Sequence, residues 1–187
     1  MANARFSIAP AYYTGSEVTP EVTVTHSGKT LVKDRDFTVT YHNNIEPSSY
    51  YNSPWVGIDG IGNYQGYVTK SFTINRADIS SCTVTLSDES LTYTGSSLRP
   101  TVTVKNGDKE LTLNQDYYVS YRNNWNAGTA SVIVNGSGNY TGSVTKDFTI
   151  KPLDISRYSA SLSQYSYTSD GTEKCPDVTV TYGDKTL

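Results

Sequence analysis

The sequence predicts an all-β chain of tandem antiparallel sandwiches with about seven strands each, and three observations carry that prediction. Short runs alternate apolar and polar residues between Gly, Asn, Asp and Pro, the pattern of half-buried strands. No stretch keeps a helical period long enough to matter. Finally, the chain repeats itself: residues 41–74, YHNNIEPSSYYNSPWVGIDGIGNYQGYVTKSFTI, return at 121–150 as YRNNWNAGTASVIVNGSGNYTGSVTKDFTI.

The repeat sets the boundaries. Pro20 matches Pro100 at an offset of 80, which holds through Phe37 with Tyr117 and Asn44 with Asn124. It then drops to 76, because the first copy carries four extra residues in IEPSSYYNSPWVGI where the second has WNAGTASVIV. The same 76 places Leu86 on Leu162, Gly95 on Gly171 and Pro100 on Pro176. The expected units are therefore a first repeat at 1–76, a second at 77–152, and the opening strands of a third at 153–187.

Within the second repeat the strands read in order SCTVTLS, SLTYTG, RPTVTVK, KELTL, DYYVSYR, TASVIVN and VTKDFTI. Side chains two apart share a face. Tyr117, Val119 and Tyr121 thus point to the core, as do Phe37, Val39 and Tyr41, with Val102, Val104, Ala130, Val132, Val134, Phe148 and Ile150 completing the inner layer. Gly107-Asp108 and Gly183-Asp184 read as tight hairpin turns. The Gly-Asn-Tyr-Thr-Gly segment is a further turn, with glycines at positive φ and Tyr140 leaning onto the sandwich. The junctions, Asn75 to Asp78 and Lys151 to Asp154, are too short and too poor in Gly and Ser for free swivelling. Units stacked end to end, each with its own core and only modestly helped by its neighbour, are expected.

Composition narrows the function. Hydrophobic residues make up 36% of the chain, with 16 Tyr and a single Met, which suits thin β-layers better than a thick helical core. The net charge of −3 comes without any basic block, so nucleic acid is excluded as an expected partner. No apolar run approaches the roughly 20 residues of a membrane span, and MANARFSIAP lacks the apolar centre of a signal peptide. The expectation is a mature fragment whose export signal has been removed, with Met1 supplied for expression. Cys82 and Cys175 fall at different places in the repeat and are expected as independent, buried or half-buried thiols.

Repetition also serves as an internal control on chemistry, because a residue the fold needs recurs in both copies. His26 aligns with Asn106 and His42 with Arg122, near turns and without a nucleophile pattern, so no catalytic triad can be assembled. Asp36 and Asp116 recur, as do Asp78 and Asp154; such aspartates most often bind local backbone amides, and a calcium ion between units would need more oxygen ligands than can be named. Lys70 and Lys146 sit at the inward parity of the last strand, which a long stem with its ammonium in water would satisfy; a buried pair with Asp36 or Asp116 is the alternative. Catalytic, cofactor-binding and metal-binding residues are expected to be none.

Aromatic residues in loops are the one binding feature. Tyr50 and Tyr51 lie in the insertion that precedes Trp55, and Trp125 follows Asn123-Asn124 in the corresponding loop. They form either a platform for a sugar face or a protein partner, or caps over the sandwich ends and the junction.

Tyr93-Thr94-Gly95, Pro100 to Val104, Asp116 to Asn124, Gly136 to Gly142 and Phe148 to Ile150 together resemble the tandem immunoglobulin-like repeats of large surface proteins from Gram-positive gut bacteria. The likeness covers essentially the whole chain, although the Cys, Trp, Cys spacing of antibody domains is absent. It implies a non-catalytic spacer, stalk or adhesin at the cell surface or cell wall, whose partner is a host or dietary glycan or a surface protein. It also adds a covalent link from Lys70 or Lys146 to an Asn or Asp as a further option. A carbohydrate-binding module built on Tyr50, Tyr51, Trp55 and Trp125 is the alternative function. A phage structural protein with such domains, suited by a native Met1, is the alternative source. Open strand edges in the third repeat are expected to pair with another molecule.

Overall fold

The computed structural model describes residues 4–182, 185 and 186. The fold is all-β; the helical elements among these residues are two 3-10 turns, Ile79–Ser81 and Ile155–Arg157. No helix among them is long and apolar enough to cross a membrane.

The first repeat contains β1 (Ala4–Ile8), β2 (Ala11–Tyr12), β3 (Val22–His26), β4 (Lys29–Thr30), β5 (Phe37–His42), β6 (Trp55–Gly60), β7 (Tyr67–Ser71) and β8 (Ile74–Asn75). One sheet has the order β1-β3-β4 and the other β5-β6-β7, while β2 runs parallel to β8. The second repeat contains β9 (Ala77–Asp78), β10 (Thr83–Leu86), β11 (Ser90–Thr92), β12 (Val102–Asn106), β13 (Lys109–Glu110), β14 (Tyr117–Arg122), β15 (Gly128–Gly136), β16 (Tyr140–Thr141) and β17 (Ser143–Lys151). Its sheets are β10-β12-β13 and β11-β17-β15-β14. A last sheet, β18 (Ser159–Leu162), β19 (Val178–Tyr182) and β20 (Lys185–Thr186), repeats the first of these. The hairpin expected at Gly183-Asp184 lies outside the described residues.

All seven runs read from the second repeat form strands. Val104 of one sheet and Tyr117, Val132 and Val134 of the other are buried in a single cluster, so the two sheets enclose a common core. The larger sheets are antiparallel except at one edge, where Leu91 lies beside Ile150 and Ala11 beside Ile74 in parallel, and the short strands β9 and β16 also pair in parallel. In each repeat the chain leaves the first sheet after one strand and crosses to the second, entering it alongside the closing strand. Alternation specifies which face is buried but not which strand is the neighbour.

The recurring motif residues hold this frame. Asn43 and Asn123 take positive φ of 54° and 55°, a conformation asparagine tolerates better than most residues. The next asparagine clamps the loop before β12: Asn124 Nδ2 donates to the Leu98 carbonyl at 2.8 Å, and the Leu98 amide donates back to the Asn124 carbonyl at 2.8 Å. Asn44 does the same with Val18. Tyr41 and Tyr121 hydroxyls donate to the carbonyls of Pro20 and Pro100 at 2.5 and 2.6 Å. Buried Asp36 and Asp116 accept from the amides of Val32 and Thr112, both at 2.8 Å.

The first repeat keeps a core of its own in Val24, Leu31, Phe37, Val56 and Ile58. At the joint, Ala11, Tyr13 and Ile74 of the first repeat belong to the same buried cluster as Ala77, Ile79 and Tyr140. The thiols are indeed both free, but Cys175 is exposed and only Cys82 is half-buried. Cys82 packs on the shared core, whereas Cys175 precedes β19, where Val178 is exposed.

Candidate functional site

Positions that differ between the repeats are where a specific function can reside, and the insertion is particular to the first repeat. It is an ordered loop. Asn52 Nδ2 donates to the Glu46 carbonyl at 2.7 Å, the Ser48 amide donates to the Ile74 carbonyl at 2.9 Å, and Ser48 Oγ accepts from the Ile74 amide at 2.9 Å. Tyr50 and Tyr51 project from the loop with 93% and 94% of their surface in solvent, their rings edge to face at 5.1 Å.

Trp55 is not a loop residue. It opens β6, where it pairs with His42 of β5, and the two rings stack at 3.8 Å and 13° on the outward face. Two residues along that face Gly57 leaves room for Tyr67, whose ring occupies the space a Cβ would take. Trp55, His42 and Tyr67 therefore form an aromatic run across the outer surface of β5-β6-β7, with Trp55 half-buried and Tyr67 exposed. In the second repeat the register puts Arg122 and Ser131 where His42 and Trp55 stand, and Ser131 Oγ donates to Asp147 at 2.7 Å. Trp125 is exposed in the loop between β14 and β15. Trp55 and Trp125 thus occupy different structural places, and the aromatic run belongs to the first repeat alone. Sequence reasoning missed His42 and Tyr67; the signal for His42 was its position at the end of the strand that pairs with Trp55.

The structure does not bring the lysines to the aspartates. Lys70, opposite Val56 on edge strand β7, is exposed and lays its ammonium 5.3 Å from the centre of the Phe6 ring. Asp36 instead binds the Arg35 guanidinium at 2.8 Å. This bond and the Val32 amide hold its carboxyl at about 2, well below the usual carboxylate range. Lys146 reaches toward Glu89 at 3.8 Å, and Asp116 is engaged by backbone. Lys70 on edge strand β7, and Lys146 on the stretch of β17 that β11 does not pair, carry their heads outward, so the buried Lys70–Asp36 and Lys146–Asp116 pairs do not form. Asp78 and Asp154 accept from the amides of Ser80 and Ser156, both at 2.9 Å, which lowers their pKa. Among the described residues no group of three or more His, Cys, Asp or Glu could hold a metal ion.

A second site is the joint between the first two repeats. Tyr140, in the Gly-Asn-Tyr-Thr-Gly turn, is completely buried against Tyr13, edge to face at 5.7 Å. Its strand β16 pairs in parallel with the linker strand β9, and the Ala77 amide donates to the Asn139 carbonyl at 3.0 Å. Arg76 donates to the Tyr140 carbonyl, Asn139 Nδ2 donates to Glu46 at 2.6 Å, and the Lys109 ammonium sits 5.7 Å from the Tyr13 ring centre. Magnitudes rank these contacts. Burying on the order of 150 Å² of tyrosine surface at ~25 cal/mol per Å² is worth about 4 kcal/mol, against about 1 kcal/mol for a hydrogen bond such as that of Asn139. Burial of the Tyr13 and Tyr140 rings in this cluster therefore outweighs any single polar contact at the joint. Neither a protein-family model, nor a curated protein, nor a solved structure matches this chain.

Proposed function

We propose that the chain is a non-catalytic segment of tandem immunoglobulin-like repeats that serves as a spacer or adhesive stalk at a bacterial cell surface or cell wall. The observation that carries this reading is the core continuous from Tyr13 and Ile74 to Ile79 and Tyr140. A spacer must transmit direction from one unit to the next, and a shared core with a four-residue linker supports that where a tether would not. Small-angle scattering of the chain and of its Tyr13→Ala variant tests it. A stalk gives an extended, narrow distance distribution that the variant broadens. Equal, broad distributions for both would remove the mechanical role.

A second reading is favoured by the outward display of Tyr50, Tyr51, Trp55 and Tyr67: a glycan-recognition surface confined to the first repeat. Aromatic faces bind the apolar face of a sugar ring, and rigid rings lose little entropy in doing so. Tryptophan fluorescence titrated with plant, mucin and bacterial cell-wall glycans tests this reading. A saturable shift that Trp55→Ala abolishes and Trp125→Ala leaves intact assigns binding to this face, and a flat response across the panel removes it.

A further inference from the structure

The first sandwich is open along one side, and the second repeat shows what closing that side requires. Between β3-β4 and the edge strand β5 lies a cleft of about 520 Å³, floored by Val22, Leu31, Phe37, Val39 and Tyr41. That volume falls within the roughly 300–1,000 Å³ of ligand sites. The second repeat covers the same place with its own side chains. Tyr117, the counterpart of Phe37, donates its hydroxyl to the Val102 carbonyl at 3.1 Å, and the Arg99 guanidinium lies 6.0 Å from the centre of the Tyr121 ring. The first repeat has Phe37 and Thr19 at these positions, so neither cover forms, and Val22 is half-buried where Val102 is buried. The flank is lateral: Leu113, the counterpart of Lys33, is 47% exposed although its repeat is joined to the first.

Backbone geometry says what the cleft can pair with. Ile8 stands opposite Val22, and the Ala9 amide donates to the Glu21 carbonyl at 3.1 Å. In an antiparallel ladder this makes Ile8 and Val22 a non-hydrogen-bonded pair, so Val22 turns its own amide and carbonyl away from β1, toward the cleft. β4 does not meet them. The Leu31 amide donates to the Val24 carbonyl at 2.8 Å, and the chain then turns off, the Val32 amide donating to Asp36. An amide and a carbonyl thus lie open at the next position on this edge, where a longer β4 would have continued. Exposed Glu21 and Lys33 line the same cleft, and neither joins an ion pair among the described residues.

We propose that this cleft binds a short extended peptide of another protein by strand addition, prolonging the line of β4 along β3. The peptide residue opposite Val22 exchanges two main-chain hydrogen bonds with it and places an apolar side chain between the sheets, onto Phe37 and Val39. Its neighbours in the peptide point outward. The residue that follows stands opposite Glu21 and is basic, and the one before is acidic and answers Lys33. Main-chain pairing gives the affinity, and the apolar side chain gives the register. The aromatic run of Trp55 and Tyr67 lies on the opposite face of β5-β6-β7, so the two sites are separate, and the cleft is independent of the spacer reading.

The probe is the end-blocked peptide Ser-Glu-Ile-Lys-Ser, titrated into the isotope-labelled full chain and followed by NMR amide shifts. Saturable shifts at Val22, Thr23 and Val39 are expected. Methylating the isoleucine nitrogen of the probe removes its donor to the Val22 carbonyl and is expected to weaken binding about five-fold, the worth of one hydrogen bond. Phe37→Tyr supplies the hydroxyl that takes the equivalent carbonyl in the second repeat and is expected to weaken binding by about the same factor. Tyr117 already occupies that place in the second repeat, so the variant keeps the fold, and an unchanged spectrum away from the cleft is its control; the methylated probe tests the same bond without altering the protein. No shift up to millimolar peptide, equal binding of the methylated probe, or binding unchanged by Phe37→Tyr would overturn the proposal. It is equally overturned if neutral oligosaccharides and not the peptide shift these amides, which assigns the cleft to a glycan. Shifts that follow protein concentration alone would assign it to a second copy and overturn it too.

Discussion

Tyr140 is the largest fully buried side chain among the described residues. Replacing it with alanine removes a completely buried ring and its contact with Tyr13, a change expected to cost about 3–5 kcal/mol. Tyr140→Phe keeps the ring and loses only the long hydrogen bond from Asn106, so it should cost about 1 kcal/mol or less. Urea denaturation of both variants checks the ranking, and similar losses would show that the hydroxyl rather than the ring holds the joint. Asp36 makes a pH prediction. Its folded pKa is depressed to about 2, first by the Arg35 hydrogen bond and then by the Val32 amide. Its stabilisation is therefore fully present above the ordinary carboxylate value and is lost as pH falls through about 2. Arg35→Gln removes the larger cause, so the variant should lose less stability than the wild type between pH 4 and 2. Equal losses in parallel acid titrations would place the effect on the backbone amide alone. The two thiols should also separate: exposed Cys175 reacts quickly with an aromatic disulfide reagent, and half-buried Cys82, whose pKa burial pushes up, reacts slowly.

At the scale of elements, the turn that carries Tyr140 is shaped by its glycines. Gly142 has φ of +76°, and a Cβ there would lie 2.5 Å from Asp78 Oδ1, the oxygen that accepts from the Ser80 amide. Gly95 has nearly the same φ, +77°, but open space around it. Gly95→Ala should cost only the left-handed strain, about 1–2 kcal/mol, while Gly142→Ala should cost at least about 1 kcal/mol more by displacing β9 from β16. Thermal melts of the pair isolate the joint from the strain, and equal shifts would mean that Asp78 moves aside freely. The strands were legible because each is a short alternating run closed by turn residues, as in RPTVTVK and DYYVSYR. The parallel edge pairing of β11 with β17 was not legible, since nothing in SLTYTG says that it crosses to the opposite sheet.

At the scale of the whole molecule, the shared core predicts that the first two repeats unfold together. Calorimetry should show one transition for them, and Tyr13→Ala should split it by lowering the second repeat's midpoint although the substitution lies in the first. Two independent transitions in the wild type would show that the joint only touches. The sequence by itself determined the all-β class, the repeat, the buried face of each strand and the aromatic character of the insertion, because these are local patterns of period two and of turn chemistry. Only the tertiary structure decided that Trp55 stacks on His42, that Tyr13 meets Tyr140 across the junction, and that Lys70 rests on Phe6 away from Asp36. Each of these is a contact between strands or repeats. A strand's alternation specifies which side faces inward, whereas the identity of the neighbour follows from how sheets and units pack in space.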